Sequence, residues 1–198
     1  SVSLPNATAP VTVPNNAMFQ PANAGSRYLI ESDPRFTDYR QWLGSDYMFA
    51  ALGSDPNALQ KRLGDGFYEQ RLVREQVGQL TGRRFLEGHA SDEAQFQALM
   101  DAGITYAQAH QLIPGVALSA EQMALLTTDL VWLVEREVVL PDGSKTKALV
   151  PQVYVRQVPQ GDFAASGALL AGNSVSLQIA EDLINAGGRI EGGVVVAQ

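Results

Sequence analysis

The end of the chain nearly repeats itself, and this repeat limits the available folds more than any other feature. Residues 167–177 return roughly twenty positions later as residues 187–197, with Gly172 and Gly192 at the same offset. A repeat of this length, with short apolar runs between glycine and asparagine corners, is typical of the coils of a parallel β-solenoid. One coil cannot bury its own apolar face, so we expect further coils beside it and interpret the chain as a piece of a much longer protein.

Composition and periodicity divide the whole chain into four segments. Residues 1–27 are rich in Pro, Asn, Ala and Ser and predict an extended linker, with a strand lying along the following domain as the alternative. The other segments are a mainly helical module at 28–136, a β-hairpin and connector at 137–162, and the first coils of the β-helix at 163–198. The predicted fold class is α+β, with the helical module and the hairpin capping the start of a right-handed parallel β-helix.

Apolar spacing and capping signals place the elements inside this scheme. The clearest helix is predicted from Phe67 to Leu80, with Gly82 at its end. The same signals predict helices over residues 36–44, 46–52, 55–63 and 91–106, a capping box over 119–122, and hairpin strands over 137–140 and 148–155. The run from Val131 to Val134 fits either a helix or a strand, because it is too short for periodicity to decide.

Charge and cysteine content restrict the partners. The formal net charge is −7 and the pI is about 4.8, which argues against nucleic acid or an anionic membrane as a partner, since both select for basic patches. Cysteine is absent, which excludes disulfides, thiolate zinc sites and cysteine nucleophiles. No apolar stretch reaches the length of a membrane span, and no signal peptide is visible, so we expect any export signal to lie outside this sequence.

Carboxylates are the main candidates for catalysis. A pair of them at a suitable separation would cleave a glycosidic bond, which makes a carbohydrate-active enzyme the leading enzymatic alternative. The candidates are Asp65, Glu69, Asp92, Glu93 and Asp101. They are not clustered with aromatic residues along the helical segment, and we therefore interpret them as solvated surface acids.

The other chemically interesting residues fit structural roles. We expect His89 and His110 to be surface or capping residues, because their spacing to other ligand types does not match a metal site. The glycines of 64–66 lack the Lys and Ser/Thr of a phosphate loop and predict a turn. The basic pair in 83–85 suits a helix C-terminus, with anion or partner binding as the alternative. We therefore predict no catalytic, cofactor-binding or metal residues.

Several longer strings resemble one protein family. They are RYLIESDPRF at 27–36, WLGSDYM at 42–48, KRLGDGFYEQ at 61–70, LTGRRFL at 80–86 and SGALLAG at 166–172. Together they resemble the filamentous haemagglutinin and contact-dependent growth inhibition exoproteins of two-partner secretion, in the segment that leads into the second haemagglutinin-repeat region. The resemblance covers about residues 27–198 and carries no catalytic motif.

This resemblance implies a non-catalytic structural or interaction module of a large secreted surface exoprotein, used in adhesion or in contact-dependent toxin delivery to neighbouring bacteria. It implies an outer-membrane two-partner secretion transporter as partner of the parent protein, and a component of the target-cell surface as a second partner. Neither nucleic acid nor a cofactor is expected. The implied location is the surface of a Gram-negative bacterium, or its periplasm during export. The alternative is a carbohydrate-active or carbohydrate-binding β-solenoid protein.

Overall fold

The computed structural model describes four stretches of the chain, which are residues 9–37, 41–54, 60–86 and 88–156. The chain divides into two units, and the larger one holds the described parts of 9–118 and 129–154. The smaller unit holds residues 119–128 and 155–156 of the described part. The predicted coils at 163–198 lie outside the described residues.

Strands and helices are mixed in the described part of the chain. In chain order the elements are β1 Val11–Thr12, β2 Phe19–Pro21, β3 Ile30–Ser32, α1 Pro34–Thr37, α2 Asp46–Ala51, α3 Gly66–Thr81, α4 Asp92–His110, α5 Ala120–Ala124, β4 Leu130–Val139 and β5 Lys145–Tyr154. Helix α5 belongs to the smaller unit, where Ser119 and Gln122 form the predicted capping box. None of the helices that the structure describes is both long and apolar enough to span a membrane.

The centre of the larger unit is a long antiparallel hairpin. Strands β4 and β5 pair from Leu130 opposite Tyr154 to Val139 opposite Lys145. A hairpin is confirmed, but β4 begins at Leu130 and not at the predicted residue 137, so the run from Val131 to Val134, at the end of the predicted helical module, is strand. Its β-branched side chains are buried, which favours a strand over a helix.

The N-terminal segment is part of the same packed unit. Strand β1 pairs in parallel with β4, so that Val11 lies beside Val138. Val13 and Phe19 are 2% and 3% exposed and join the apolar core with Ile30 of β3. Over residues 9–27 the linker prediction is therefore wrong, and its alternative, a strand along the domain, describes the arrangement. The apolar side chains in this proline-rich segment supply the reason, because they are buried against the sheet.

The two long helices follow their sequence signals. Helix α3 begins where the Asp65 carboxylate accepts a hydrogen bond from the Tyr68 amide, and it ends at Gly82, whose φ of 75° is left-handed. Helix α4 is capped by Ser91 and packs on β4, whereas α3 packs on β5. The predictions for both helices are confirmed.

Two shorter helix predictions fail. Helix α1 spans Pro34–Thr37, and residues 41–44 are not helical, while residues 38–40 lie outside the described residues. Residues 60–63 are also not helical, because the Leu63 amide donates to the Leu149 carbonyl and the Leu149 amide donates to the Lys61 carbonyl. These bonds place the segment against the free edge of β5, where pairing with the sheet replaces helical hydrogen bonds. Residues 55–59 lie outside the described residues.

A helix side chain covers the next part of that edge. Gln76 of α3 donates through Nε2 to the Pro151 carbonyl at 2.7 Å, and its Oε1 accepts from the Val153 amide at 2.9 Å. The Gln76 amide therefore offers β5 the donor and the acceptor that a neighbouring strand would offer. This arrangement satisfies backbone groups that would otherwise form an open sheet edge.

Candidate functional site

A non-helical segment lies across the first turns of α3. We call residues 41–45 the strap. Gln70 donates through Nε2 to the Leu43 carbonyl at 3.0 Å, and the rings of Trp42 and Phe67 pack edge to face with centroids 5.0 Å apart. These contacts fix the middle of the strap to α3 from two sides.

Glycine allows the strap and the helix to approach so closely. A Cβ atom on Gly66 would overlap the carbonyl oxygen of Trp42 and lie 2.5 Å from that of Leu43. A Cβ atom on Gly44 would lie only 3.0 Å from both the Gly66 Cα and a carboxylate oxygen of Glu69. The glycines at these two positions therefore allow close backbone packing.

Glu69 holds the end of the strap. Its side chain is 1% exposed, and it accepts hydrogen bonds from the Ser45 amide at 2.7 Å and from the Ser45 hydroxyl at 2.6 Å. Burial raises the pKa of Glu69 to about 7, although the Ser45 hydrogen bonds and the Arg62 charge act in the opposite direction. A buried carboxyl with a pKa near neutrality can give and accept a proton under ordinary conditions.

Arg62 is the buried cation of this site. It is 1% exposed, and its Nη1 lies 3.2 Å from the Ser45 hydroxyl and 2.5 Å from Asp46 Oδ1. Its guanidinium carbon lies 5.0 Å from the Tyr28 ring centroid and 5.4 Å from that of Phe49. Among the described residues, Nε and Nη2 of Arg62 have no hydrogen-bond partner. The two aromatic rings instead contact the guanidinium through cation–π interactions.

An open cleft of about 790 Å³ lies beside this buried network. At the edge of the cleft, Oδ2 of Asp46 forms an ion pair with Nη1 of Arg27 at 3.1 Å. Tyr28 lines the wall of the cleft. Its pKa is raised mainly by burial and to a smaller extent by the negative charge of Asp46. The cleft is lined by Arg27, Tyr28, Ser32, Pro34, Thr37, Gln41, Trp42, Leu43, Gly44, Asp46, Tyr47, Asp65, Gly66 and Glu93. It offers carboxylates, hydroxyls and aromatic faces, while Glu69 and Arg62 lie behind it.

The carboxylates singled out in the sequence have different roles in the structure. Asp65 caps α3 and also accepts from the amide and hydroxyl of Ser32, and it lines the cleft together with Glu93. Asp101 accepts from the Tyr47 hydroxyl at 2.5 Å. Glu69 contradicts the interpretation as a solvated acid, because its carboxyl is buried.

The basic and histidine candidates lie at other places. Arg84 forms an ion pair with Asp92 at 3.1 Å, and its guanidinium lies over the Phe85 ring. Arg84 therefore already has an acidic partner within the fold. The His110 ring packs against the Tyr106 ring at 4.1 Å, at the end of α4, and His89 follows the segment after α3. Within the described ranges no group of three or more His, Cys, Asp and Glu side chains has the arrangement of a metal site.

Sequence reasoning missed Ser45, Asp46 and Arg62. Arg62 lies in the stretch predicted to be a helix over residues 55–63, and Asp46 was predicted only as the start of a short helix. The residues meet because the segment around Arg62 bridges to Tyr28 on one side and Leu149 on the other. A local pattern does not carry this information.

Comparisons with known proteins give close relatives. No family model and no solved structure matches the chain. It is 45% identical over 160 residues to a protein named Toxin CdiA from Yersinia pestis, a match that covers 81% of the chain and 5% of that protein. It is 37% identical over 188 residues to tRNA nuclease CdiA-2 from Burkholderia pseudomallei, covering 94% of the chain and 6% of the relative. It is 34% identical over 166 residues to Deoxyribonuclease CdiA from Dickeya dadantii, covering 84% and 5%.

These names overturn two predictions made from the sequence. The chain was expected to be a non-catalytic module, with a carbohydrate-binding or carbohydrate-active solenoid as the alternative, and not an enzyme. Two of these three relatives are named as nucleases, one for tRNA and one for DNA. The predictions were wrong because they weighed only the motifs inside a segment that spans about one twentieth of such proteins.

The resemblance to contact-dependent growth inhibition proteins, in contrast, is confirmed at the level of the family. Relatives from several bacteria carry the same CdiA name, and the alignments to the three described above cover 81% to 94% of the chain. This chain is a CdiA-like sequence that spans about one twentieth of the length of the toxins it matches.

Proposed function

We propose that this chain is part of a large exported toxin of the CdiA type, whose complete polypeptide cleaves nucleic acid in a neighbouring cell. The observation that carries this proposal is the 45% identity over 160 residues to a CdiA toxin, together with nuclease names among the other relatives. A nucleic-acid substrate then replaces the expectation that the protein has no nucleic-acid partner. The net charge of −7 belongs to this segment alone, and a polyanionic substrate would be bound by residues elsewhere in the parent.

The comparison also limits what this segment contributes. Relatives named for tRNA and for DNA share it at 37% and 34% identity. Two enzymes that act on different nucleic acids would not share the residues that distinguish those substrates. We therefore infer that this segment does not select the nucleic acid that the parent protein cleaves.

The finer placement within the parent is also a proposal. Residues 163–198 would form the first coils of a right-handed parallel β-helix and begin the second haemagglutinin-repeat region, with the module and hairpin as its cap. The repeat of roughly twenty residues and the match of Ser166 to Gly172 to that region support this assignment. The parent would pass through an outer-membrane two-partner secretion transporter to the cell surface, with the periplasm as a stage during export.

The test uses the full-length parent protein. It is purified beside a variant with a disrupted C-terminal region and assayed on tRNA, 16S rRNA and double-stranded DNA. Cleavage of one of these substrates by the intact parent, with growth inhibition of target cells in co-culture, is the expected result. A parent that inhibits growth without cleaving any of the three would contradict the proposal.

A second assay addresses the role of the segment. Residues 27–156 are exchanged for the corresponding segment of a relative that acts on a different nucleic acid. We expect the recipient toxin to keep its own substrate. A change of substrate that follows the exchanged segment would refute the inference on selectivity.

A further inference from the structure

The wall of the cleft combines aromatic rings with carboxylates. Three of its lining residues carry aromatic rings and three carry carboxylates, namely Tyr28, Trp42, Tyr47, Asp46, Asp65 and Glu93. Among the lining residues that the structure describes, Arg27 is the one cation. An aromatic face attracts a cation through its quadrupole, and a carboxylate attracts the same ion through its charge. The wall therefore favours a cationic ligand over a neutral or anionic one.

Two arginines of this chain show how the wall holds a guanidinium. Arg27 and Arg62 both lie over the Tyr28 ring, with their guanidinium carbons 5.7 and 5.0 Å from its centroid. Both also form ion pairs with Asp46, Arg27 with Oδ2 at 3.1 Å and Arg62 with Oδ1 at 2.5 Å. A planar guanidinium suits this arrangement, because it stacks on a ring and pairs with a carboxylate at the same time. Tyr28 and Asp46 therefore form a guanidinium-binding pair with two positions.

The two positions differ in how firmly they are occupied. The side chain of Arg62 is 1% exposed and belongs to the buried network, whereas the side chains of Arg27 and Asp46 are 42% and 41% exposed. An ion pair with this degree of exposure contributes little to stability. Arg27 can therefore leave at a small cost, and its departure frees Oδ2 of Asp46. The outer position is exchangeable, and the inner position is fixed.

We propose that the cleft binds an arginine side chain of a partner polypeptide, which replaces Arg27 on Tyr28 and Asp46. The incoming guanidinium stacks on the Tyr28 ring and pairs with Oδ2 of Asp46, while Arg27 turns into solvent. The other carboxylates of the wall add a favourable charge nearby. Arg62 stays at the inner position and holds both binding residues in place for the ligand. A lysine fits less well, because its compact ammonium does not stack as a plane.

The cleft is larger than the guanidinium that it would hold. Its volume of about 790 Å³ is in the range of pockets that bury a drug-sized ligand. Trp42 and Tyr47 line other parts of it, and aromatic side chains of this kind are enriched where proteins bind each other. Room for the residues on either side of the arginine favours a peptide segment over the free amino acid. The inference goes beyond the proposed nuclease function of the parent, because this acidic wall would repel a nucleic acid.

The test is a titration of the 198-residue chain with three peptides, followed by nuclear magnetic resonance. The peptides are acetylated and amidated glycine pentamers whose central residue is replaced by arginine, lysine or citrulline. The indole N–H signal of Trp42 reports on the cleft, and that of Trp132, which is 0% exposed, is the internal control. We expect the arginine peptide to shift the Trp42 signal to saturation and to leave the Trp132 signal in place.

The other two peptides test the chemistry of the ligand. Citrulline has nearly the shape of arginine without its charge, so this peptide should bind at least about tenfold more weakly. The lysine peptide should bind with an affinity between the two. Equal affinities for arginine and lysine, or for arginine and citrulline, would overturn the proposal, as would the absence of any shift at Trp42.

Two variants test whether the ligand replaces Arg27. Arg27→Gln removes the competing side chain and should raise the affinity for the arginine peptide about two- to fivefold. Arg35→Gln is the matched control, because Arg35 pairs with Asp33 at 2.6 Å and lies 5.7 Å from the Phe36 ring centroid but is not a lining residue. It should leave the affinity unchanged. An unchanged or lower affinity in Arg27→Gln would reject the replacement, and the peptide series alone decides the matter if that variant does not fold.

Discussion

Helix α4 crosses strand β4 so closely that a Cβ atom on Gly103 would overlap the carbonyl oxygen of Val131. Gly103 lies in the middle of α4, where glycine is otherwise unfavourable by about 1 kcal/mol relative to alanine. The close approach of helix and strand accounts for glycine at this position.

The Gly103→Ala variant should therefore be less stable in spite of its better helix propensity. Forcing a methyl group against a strand backbone costs about 1–3 kcal/mol or more, and the free energy of unfolding in urea would measure the loss. Gly78→Ala in α3 is the matched control, because the nearest atom to its Cβ would be 3.9 Å away. We expect that variant to be unchanged or up to about 1 kcal/mol more stable. Equal losses in the two variants would show that the packing at Gly103 is not special.

Gln76 should contribute to stability through the strand edge that it covers. Gln76→Ala leaves the Pro151 carbonyl and the Val153 amide without their side-chain partner, and each unmet buried group costs about 1–3 kcal/mol. Gln79→Ala, at an exposed position on the same helix, should change the free energy of unfolding by less than about 0.5 kcal/mol. If Gln76→Ala lowers the free energy of unfolding no more than Gln79→Ala does, water replaces the side chain at these two backbone groups.

Two arginines share the carboxylate of Asp46 and should differ strongly in their effect. Arg62→Gln removes a cation that is 1% exposed and leaves Asp46 without its buried partner. We expect the free energy of unfolding in urea to fall by about 3–5 kcal/mol. Arg27→Gln removes a partner that is 42% exposed and should cost no more than about 1 kcal/mol. Similar losses in both variants would contradict the buried role of Arg62.

The raised pKa of Tyr68 predicts that the folded chain loses stability at alkaline pH. Burial, with a smaller effect of Glu75, raises the pKa of the Tyr68 phenol to about 12 from 10.0. The unfolded chain releases this proton first, so the free energy of unfolding should fall as the pH rises from about 10 to 12, by up to about 2.7 kcal/mol. Below pH 10 this residue should contribute no pH dependence.

The comparison for this prediction is made with two phenylalanine variants. Tyr68→Phe keeps the edge-to-face contact with the Phe19 ring. In this variant the fall in the free energy of unfolding between about pH 10 and 12 should be smaller. Tyr106→Phe should keep the slope of the unmodified chain. If the slope is the same in all three chains, other groups cause it.

The elements that the sequence predicted well are those with local causes. Helix α3 is set by Asp65 at one end and Gly82 at the other, and the turn between β4 and β5 is set by Gly143 with a φ of 87°. Each of these signals lies within a few residues of the structure that it produces, so pattern reading was sufficient.

The failures share the opposite property. The strap is held by α3 residues more than twenty positions away, and Arg62 is placed by a bridge to Leu149. Glu69 was recognised as a candidate carboxylate but assigned to solvent, because the apolar spacing of α3 does not show that a polar strap covers its first turns. Burial of that kind depends on the fold as a whole and has no local signature.

The pairing of Val11 with Val138 has a consequence for how this unit acquires its structure. A ribosome makes the N-terminal strand first, yet its partner strand is more than a hundred residues away. Contacts of such long separation form slowly, since a large loop must close before they are stabilised. The early segment therefore cannot complete its sheet until the hairpin that contains β4 has been made.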